Sequence, residues 1–215
     1  MHQAKKQTYR NQAEQIIERM KKRNIQALYF EETKEAVASI CEMIPPGSLV
    51  GLGGSETVIE TGLLDALRQL DLKLLDRYRE DVTPDEVNAM RREGLHSDVF
   101  IASSNAITAD GKIVNQDGIG NRVAAMIFGP HKVILIVGMN KVVRTVEDAV
   151  ARIKTIAGPM DSLRIEMDTP CSRFGFCNDP DCHPPHRICS QLVIIESSMI
   201  PDRITVILVG EDLGY

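Results

Sequence analysis

The sequence predicts an α/β fold: a mostly parallel, twisted sheet with helices on both faces, preceded by a helical N-terminal segment. Three observations predict it. From residue 48 onward, short apolar runs alternate with stretches of helical periodicity, the pattern of successive β-α-β units. One run, Val133 to Val137, is aliphatic at every position, as a strand covered on both faces must be. Several apolar runs end in small, polar or charged residues, which suit ligand loops at the carboxyl ends of parallel strands. The 215 residues are read as a single domain, 1–215, and 43% hydrophobic content is enough to fill its core.

The elements follow in order. Residues 1–45 read as helices: Ala13, Ile16, Ile17 and Met20 share one stripe, and Ala36, Val37, Ile40, Cys41 and Ile44 another, stopped by Pro45-Pro46-Gly47. A strand is expected over 48–52 and a helix over 57–70, with Ile59, Leu63, Leu67 and Leu70 on one face. A strand follows over 72–75. Thr83-Pro84-Asp85-Glu86 opens the next helix, with a capping threonine, a first-turn proline and a glutamate three residues on. Val99 to Ala102 is a strand, and 107–114 a hairpin around Asp110-Gly111. A helix is expected over 119–128, then the aliphatic strand. Val146, Ala149, Val150, Ile153 and Ala157 form a helical stripe after Thr145. The last two strands are 191–195 and 204–209.

Composition narrows the function. With 25 basic against 30 acidic residues the net charge is -5, which argues against a nucleic-acid surface. The start lacks the apolar stretch of a secretory signal, and the longest apolar runs are too short to cross a bilayer. The expected setting is therefore cytoplasmic, away from membranes.

The turn Gly51-Leu52-Gly53-Gly54-Ser55-Glu56-Thr57 joins a strand to a helix. Glycines permit close approach of a ligand, and free N–H groups at a helix start attract an anion. It lacks the Lys-Ser/Thr ending of a P-loop and the spacing of a dinucleotide fingerprint. Gly53, Gly54, Ser55 and Thr57 are candidate ligand-binding residues. So are residues after the other strands: Asp76, Arg77, Asn105, Asn140 and Lys141. Asn115, Asn121 and Arg122 complete the set; Asn side chains can read hydroxyls or carboxylates, and Arg122 or Lys141 can pair with an anion. Lys141 and Glu60 are the candidate catalytic residues. The competing reading is structural: a tight turn with Ser55 as cap, and asparagines that shape local turns.

The stretch from Ser97 to Asn115, with its Asn105-Ala106-Ile107-Thr108 and Asp110-Gly111, is the most distinctive. It continues through Gly120-Asn121-Arg122-Val123, Gly129-Pro130-His131-Lys132 and Gly138-Met139-Asn140-Lys141. With the glycine turn, Thr169-Pro170-Cys171 and the ending Glu211 to Tyr215, these residues resemble the LUD (lactate utilisation) domain family. The resemblance implies a fold of the NagB/ribose-5-phosphate isomerase (RpiA)/CoA-transferase-like group and a place in hydroxy- or oxo-acid metabolism, where some relatives work with iron–sulfur proteins. The stretch from Asp98 to Asn121 is also similar to sugar-phosphate isomerases related to methylthioribose-1-phosphate isomerase, which carry an acid in a Gly-Ala-Asp triplet. Here the triplet is Ser103-Ser104-Asn105, and an amide cannot serve as general acid or base near neutral pH. Simple isomerase chemistry is therefore not expected.

Cys171, Cys177, Cys182 and Cys189 fall within one segment, 168–190, with gaps of five, four and six residues. Proline and glycine make it a loop without a core of its own, and a metal on four thiolates would tether it. Zinc knuckles pair their ligands more closely; sequential cysteines suit an iron–sulfur cluster about as well. Both stay open, with His183 or His186 as alternative ligands, and the resemblance tilts the choice toward iron–sulfur. The expected partners are a small anionic metabolite, a redox partner protein and a second copy of the chain. Two functions follow: an enzyme or redox accessory of lactate-type acid metabolism, or a non-catalytic metabolite-binding or regulatory module with a structural metal.

Overall fold

The computed structural model describes residues 1–179 and 182–215; positions 180 and 181 of the cysteine segment lie outside the described residues. Helix α1 (Gln3–Lys21) buries Ala13, Ile16 and Met20. The all-helical reading of residues 1–45 is corrected by β1 (Gln26–Phe30), which separates α1 from α2 (Thr33–Glu42). Strand β1 lies at a sheet edge and pairs in parallel with the last strand, β10 (Ile204–Val209). Next come β2 (Leu49–Leu52), α3 (Glu56–Glu60), α4 (Leu63–Arg68) and β3 (Lys73–Leu74). The single helix expected over 57–70 is two, broken at Gly62, whose φ of 71° suits glycine. Helix α5 (Pro84–Glu93) starts with the expected Thr83–Glu86 capping box. Strand β4 (Val99–Ala102) leads into the hairpin of β5 (Ala106–Thr108) and β6 (Ile113–Asp117), then α6 (Asn121–Ile127) and β7 (Lys132–Gly138). Strand β8 (Val142–Val143) precedes α7 (Val146–Arg152). A π-helical stretch over 153–157 continues α7 into α8 (Gly158–Arg164). The cysteine segment, expected as pure loop, opens with α9 (Pro170–Phe174): Thr169 and Ser172 cap it reciprocally and Pro170 fits its first turn. Strand β9 (Gln191–Ile195) precedes β10.

The central sheet has six parallel strands in the order β1-β10-β7-β4-β2-β3. A second, mixed sheet, β8-β5-β6-β9, takes the hairpin and β9. The bare aliphatic β7 serves both faces. Val133, Leu135 and Val137 pack with Ala13, Ile16 and Met20 of α1 and Met126 of α6. Ile134 and Ile136 pack on the other side with Ile40 of α2, Val58 of α3 and Leu63 and Leu67 of α4. Side chains of a strand alternate between faces, so one strand supplies two cores. The carboxyl ends of β2, β3, β4 and β7 therefore stand side by side, where open parallel sheets bind ligands.

Candidate functional site

A cavity of about 370 Å³ opens at these strand ends, within the size range of small-molecule sites. Each of the four ends contributes: Gly54 and Ser55 after β2, Arg77 after β3, Ser103 to Asn105 after β4, and Lys141 after β7. The glycine turn is held from within. The Gly53 amide donates to the Ile101 carbonyl (2.8 Å) and the Ser55 amide to the Tyr78 hydroxyl (3.0 Å). That hydroxyl donates in turn to the Gly53 carbonyl (3.0 Å), and the Ser55 side chain caps α3. A Cβ on Gly53 would stand 2.8 Å from the Ala102 Cβ and 3.1 Å from Arg122 Cγ, so glycine there lets Arg122 pass close to the strand.

Lys141 is 3% exposed. Its Nζ donates to Thr57 Oγ1 (2.7 Å) and Ser103 Oγ (3.3 Å), both on buried residues. Burial, reinforced by the positive charges of Arg152 and Arg122 and opposed by Glu60, brings its pKa down from 10.5 to about 7. Near neutrality the amine is thus poised between charged and neutral forms.

Arg122 is the brace of the cavity wall. Its Nε donates to Asp117 Oδ1 (3.0 Å), Nη1 to the Ser103 carbonyl (2.9 Å) and Asn115 Oδ1 (2.7 Å), and Nη2 to Asn105 Oδ1 (2.8 Å) and the Gln116 carbonyl (3.2 Å). All five guanidinium hydrogens are engaged. Asp117 also accepts the amides of Arg122 and Val123. Asn105 accepts from the Gln116 amide, and its own carbonyl takes Arg152 Nη1 (2.8 Å).

Of the candidate ligand residues, Gly54, Ser55, Thr57, Arg77, Asn105, Asn121, Arg122 and Lys141 line the cavity; Gly53, Asp76, Asn115 and Asn140 do not. Asp76 pairs with Arg68 and caps the Tyr78 amide. Asn115 supports Arg122 and the Asn105 amide. Asn140 accepts from the Leu213 amide. Glu60, the second catalytic candidate, accepts the Gly214 amide (2.6 Å) outside the cavity. Among the wall residues that the sequence did not mark as site candidates are Arg91 of α5, Arg164 of α8, Arg187 and Tyr215. Arg164 pairs with Asp161. Arg77 and Arg91 have no carboxylate partner among the described residues. Burial and the neighbouring Arg77 charge pull Arg91 below the usual guanidinium range, and its Nε is buried without a partner among the described residues.

Cys171, Cys177, Cys182 and Cys189 line a second, smaller cavity, together with His186. None of the five cysteines forms a disulfide. Burial pushes the Cys189 thiol up, and the other three thiols add to that. Arg187 clamps the loop by donating to the carbonyls of Cys182 (2.7 Å) and Cys189 (2.9 Å). Among the described residues, no three of His, Cys, Asp and Glu are arranged around a single ion. Ile153, Gly158 and the run Arg187 to Cys189 face both cavities, so the cysteine-lined cavity and the strand-end cavity share a wall. Cys41 packs half-buried against the core. No helix among the described residues is long and apolar enough to cross a membrane.

A family model described as LUD domain matches residues 13–209. The crystal structure of a DUF162 family protein from Deinococcus radiodurans is similar at a TM-score of 0.52 and 13% identity, covering 94% of this chain and 98% of that chain. At that identity the likeness shows the fold. No curated protein matches.

Proposed function

The chain belongs to the LUD domain family, and from that premise we propose that it binds a small anionic metabolite of the hydroxy- or oxo-acid class, as an enzyme or redox accessory of lactate-type metabolism. One observation carries this reading: the cavity wall holds the guanidinium groups of Arg77 and Arg91, without carboxylate partners among the described residues, and the buried amine of Lys141. A carboxylate entering there gains charge-assisted hydrogen bonds of about 1.5–3 kcal/mol each. Thermal shift with lactate, pyruvate and ribose 5-phosphate tests it. At least one of these acids is expected to raise the melting temperature with increasing concentration. The double variant Arg77→Ala/Arg91→Ala is expected to bind that acid about tenfold or more weakly, the equivalent of a single lost bond. Equal binding by wild type and double variant would remove the assignment.

The four-cysteine site forms the second part of the proposal. Its donors are thiolates, which suit an iron–sulfur cluster or zinc. The wide, sequential gaps between the cysteines suit a cluster about as well as zinc, and the family's redox setting tilts the choice toward the cluster. Cys171, Cys177, Cys182 and Cys189 would hold it, and it would supply an electron store beside the acid cavity, within reach of a redox partner protein. Anaerobically purified protein is expected to be coloured and to contain iron and acid-labile sulfide, both lost in Cys171→Ser/Cys189→Ser. Zinc in their place would assign the site to zinc, and a folded, metal-free wild type would refute a metal centre.

A second reading, a non-catalytic binding or regulatory module, draws on Asn105. Where the isomerase-like stretch would carry an acid, an amide oxygen is tied to Arg122 and the Gln116 amide. Under that reading the acid that binds is recovered unchanged after long incubation with the metal-replete protein.

A further inference from the structure

Lys141 is placed for more than charge. Lys141 lines the cavity, and the hydrogen-bond partners of its Nζ are two hydroxyls, Thr57 Oγ1 and Ser103 Oγ, with no carboxylate paired to it among the described residues. The charged groups around it on three helices are Glu60 of α3, Arg122 of α6 and Arg152 of α7. Glu60 is occupied by the Gly214 amide, and Arg122 and Arg152 are fixed by Asp117 and by the Asn105 carbonyl. Two immobile cations and a desolvated pocket favour a neutral amine with a free lone pair. The same cavity holds cations that can take a carboxylate.

We propose that Lys141 is the amine of an imine-forming site, condensing with the carbonyl carbon of a 2-oxo acid whose carboxylate is taken by Arg77 and Arg91. This rests on the reading of the cavity as an acid site. The Nζ–carbon bond forms and the carbonyl carbon–oxygen bond breaks. The oxygen leaves as water with the two hydrogens the neutral amine carried, so the step needs no oxidant or reductant. Thr57 and Ser103, already bonded to Nζ, are in position to relay protons to the departing oxygen. A 2-hydroxy acid fits the same cations and cannot condense, because it has no electrophilic carbonyl. The site therefore separates the two oxidation states of one acid pair: it holds both and reacts with one.

Reductive trapping tests this. The full-length protein is incubated with pyruvate, reduced with cyanoborohydride, digested and mapped by mass spectrometry. A pKa of about 7 leaves roughly a thousandfold more neutral amine at pH 7 than an ordinary lysine has. Labelling is therefore expected at Lys141 on the order of a hundredfold above any other lysine, rising from pH 6 to 8. It should be suppressed by excess lactate and absent at position 141 in Lys141→Arg. Labelling spread evenly over the lysines, or labelling of Lys141 that lactate leaves untouched, overturns the proposal. Pyruvate binding seen by calorimetry, sensitive to Arg77→Ala/Arg91→Ala but without adduct, overturns the imine and leaves the acid site standing. Absence of both binding and adduct overturns the two together.

Discussion

Arg122→Ala is expected to lower the free energy of unfolding by about 3–5 kcal/mol, the loss seen when one partner of a buried ion pair is removed. The pair is close and enclosed: Nη2 lies 2.8 Å from Asp117 Oδ1, and the two residues are 9% and 7% exposed. The variant strands more than the carboxylate. The Ser103 carbonyl and the side-chain oxygens of Asn105 and Asn115 each lose a donor. Arg122→Lys is expected to recover little, because one ammonium cannot reach in five planar directions at once. Urea denaturation, with the slope unchanged, measures the difference. A loss below about 1 kcal/mol would mean that the wall relaxes around the gap and that the network is not its brace.

The network also explains which part of the site could be read in advance. Strand ends of a parallel sheet converge, so polar residues after β2, β3, β4 and β7 were legible as a group, and all four ends reach the cavity. Which of those residues face the ligand and which hold the others in place depends on side-chain direction. Asn115 and Asn121 look alike in the sequence, yet one is fully buried behind Arg122 and the other lines the cavity. Arg91 and Arg164 arrive from helices, where a charged residue on a polar face carries no mark of the cavity it borders. In the fold, elements with strong local signals were legible: the aliphatic β7, the capping box of α5 and the Asp110-Gly111 hairpin, where Gly111 has φ 85°. Strand β1 was not. It is an edge strand with one buried residue, and what makes it a strand is pairing with β10 at the far end of the chain. The second sheet was hidden for the same reason, since β6 and β9 meet only in three dimensions.

Lys141→Met is expected to stabilise the protein at pH 6.5, and the gain is expected to vanish at about pH 9 and to reverse above it, where the lost hydrogen bonds outweigh the remaining charge cost. The lysine pKa is about 7 in the folded chain against 10.5 in the ordinary state. Below pH 7 both folded and unfolded chains carry the proton, so the folded state bears the whole cost of a buried charge. Between pH 7 and 10.5 the unfolded chain binds more protons than the folded one, and wild-type stability climbs. Above 10.5 neither state is charged and the cost is gone. At about 1.36 kcal/mol for each pH unit, that interval bounds the cost at roughly 5 kcal/mol. Methionine removes it but also takes a partner from Thr57 and Ser103, at about 1 kcal/mol each. A net gain of about 2–4 kcal/mol remains at pH 6.5. Denaturation of both proteins at pH 6.5 and 10 measures it; a variant that is less stable at pH 6.5, or a gap that ignores pH, would show that the amine is solvated. Reactive sites commonly carry a stability cost of this kind, and an apolar replacement that strengthens the protein while abolishing the pyruvate adduct would tie that cost to the reaction.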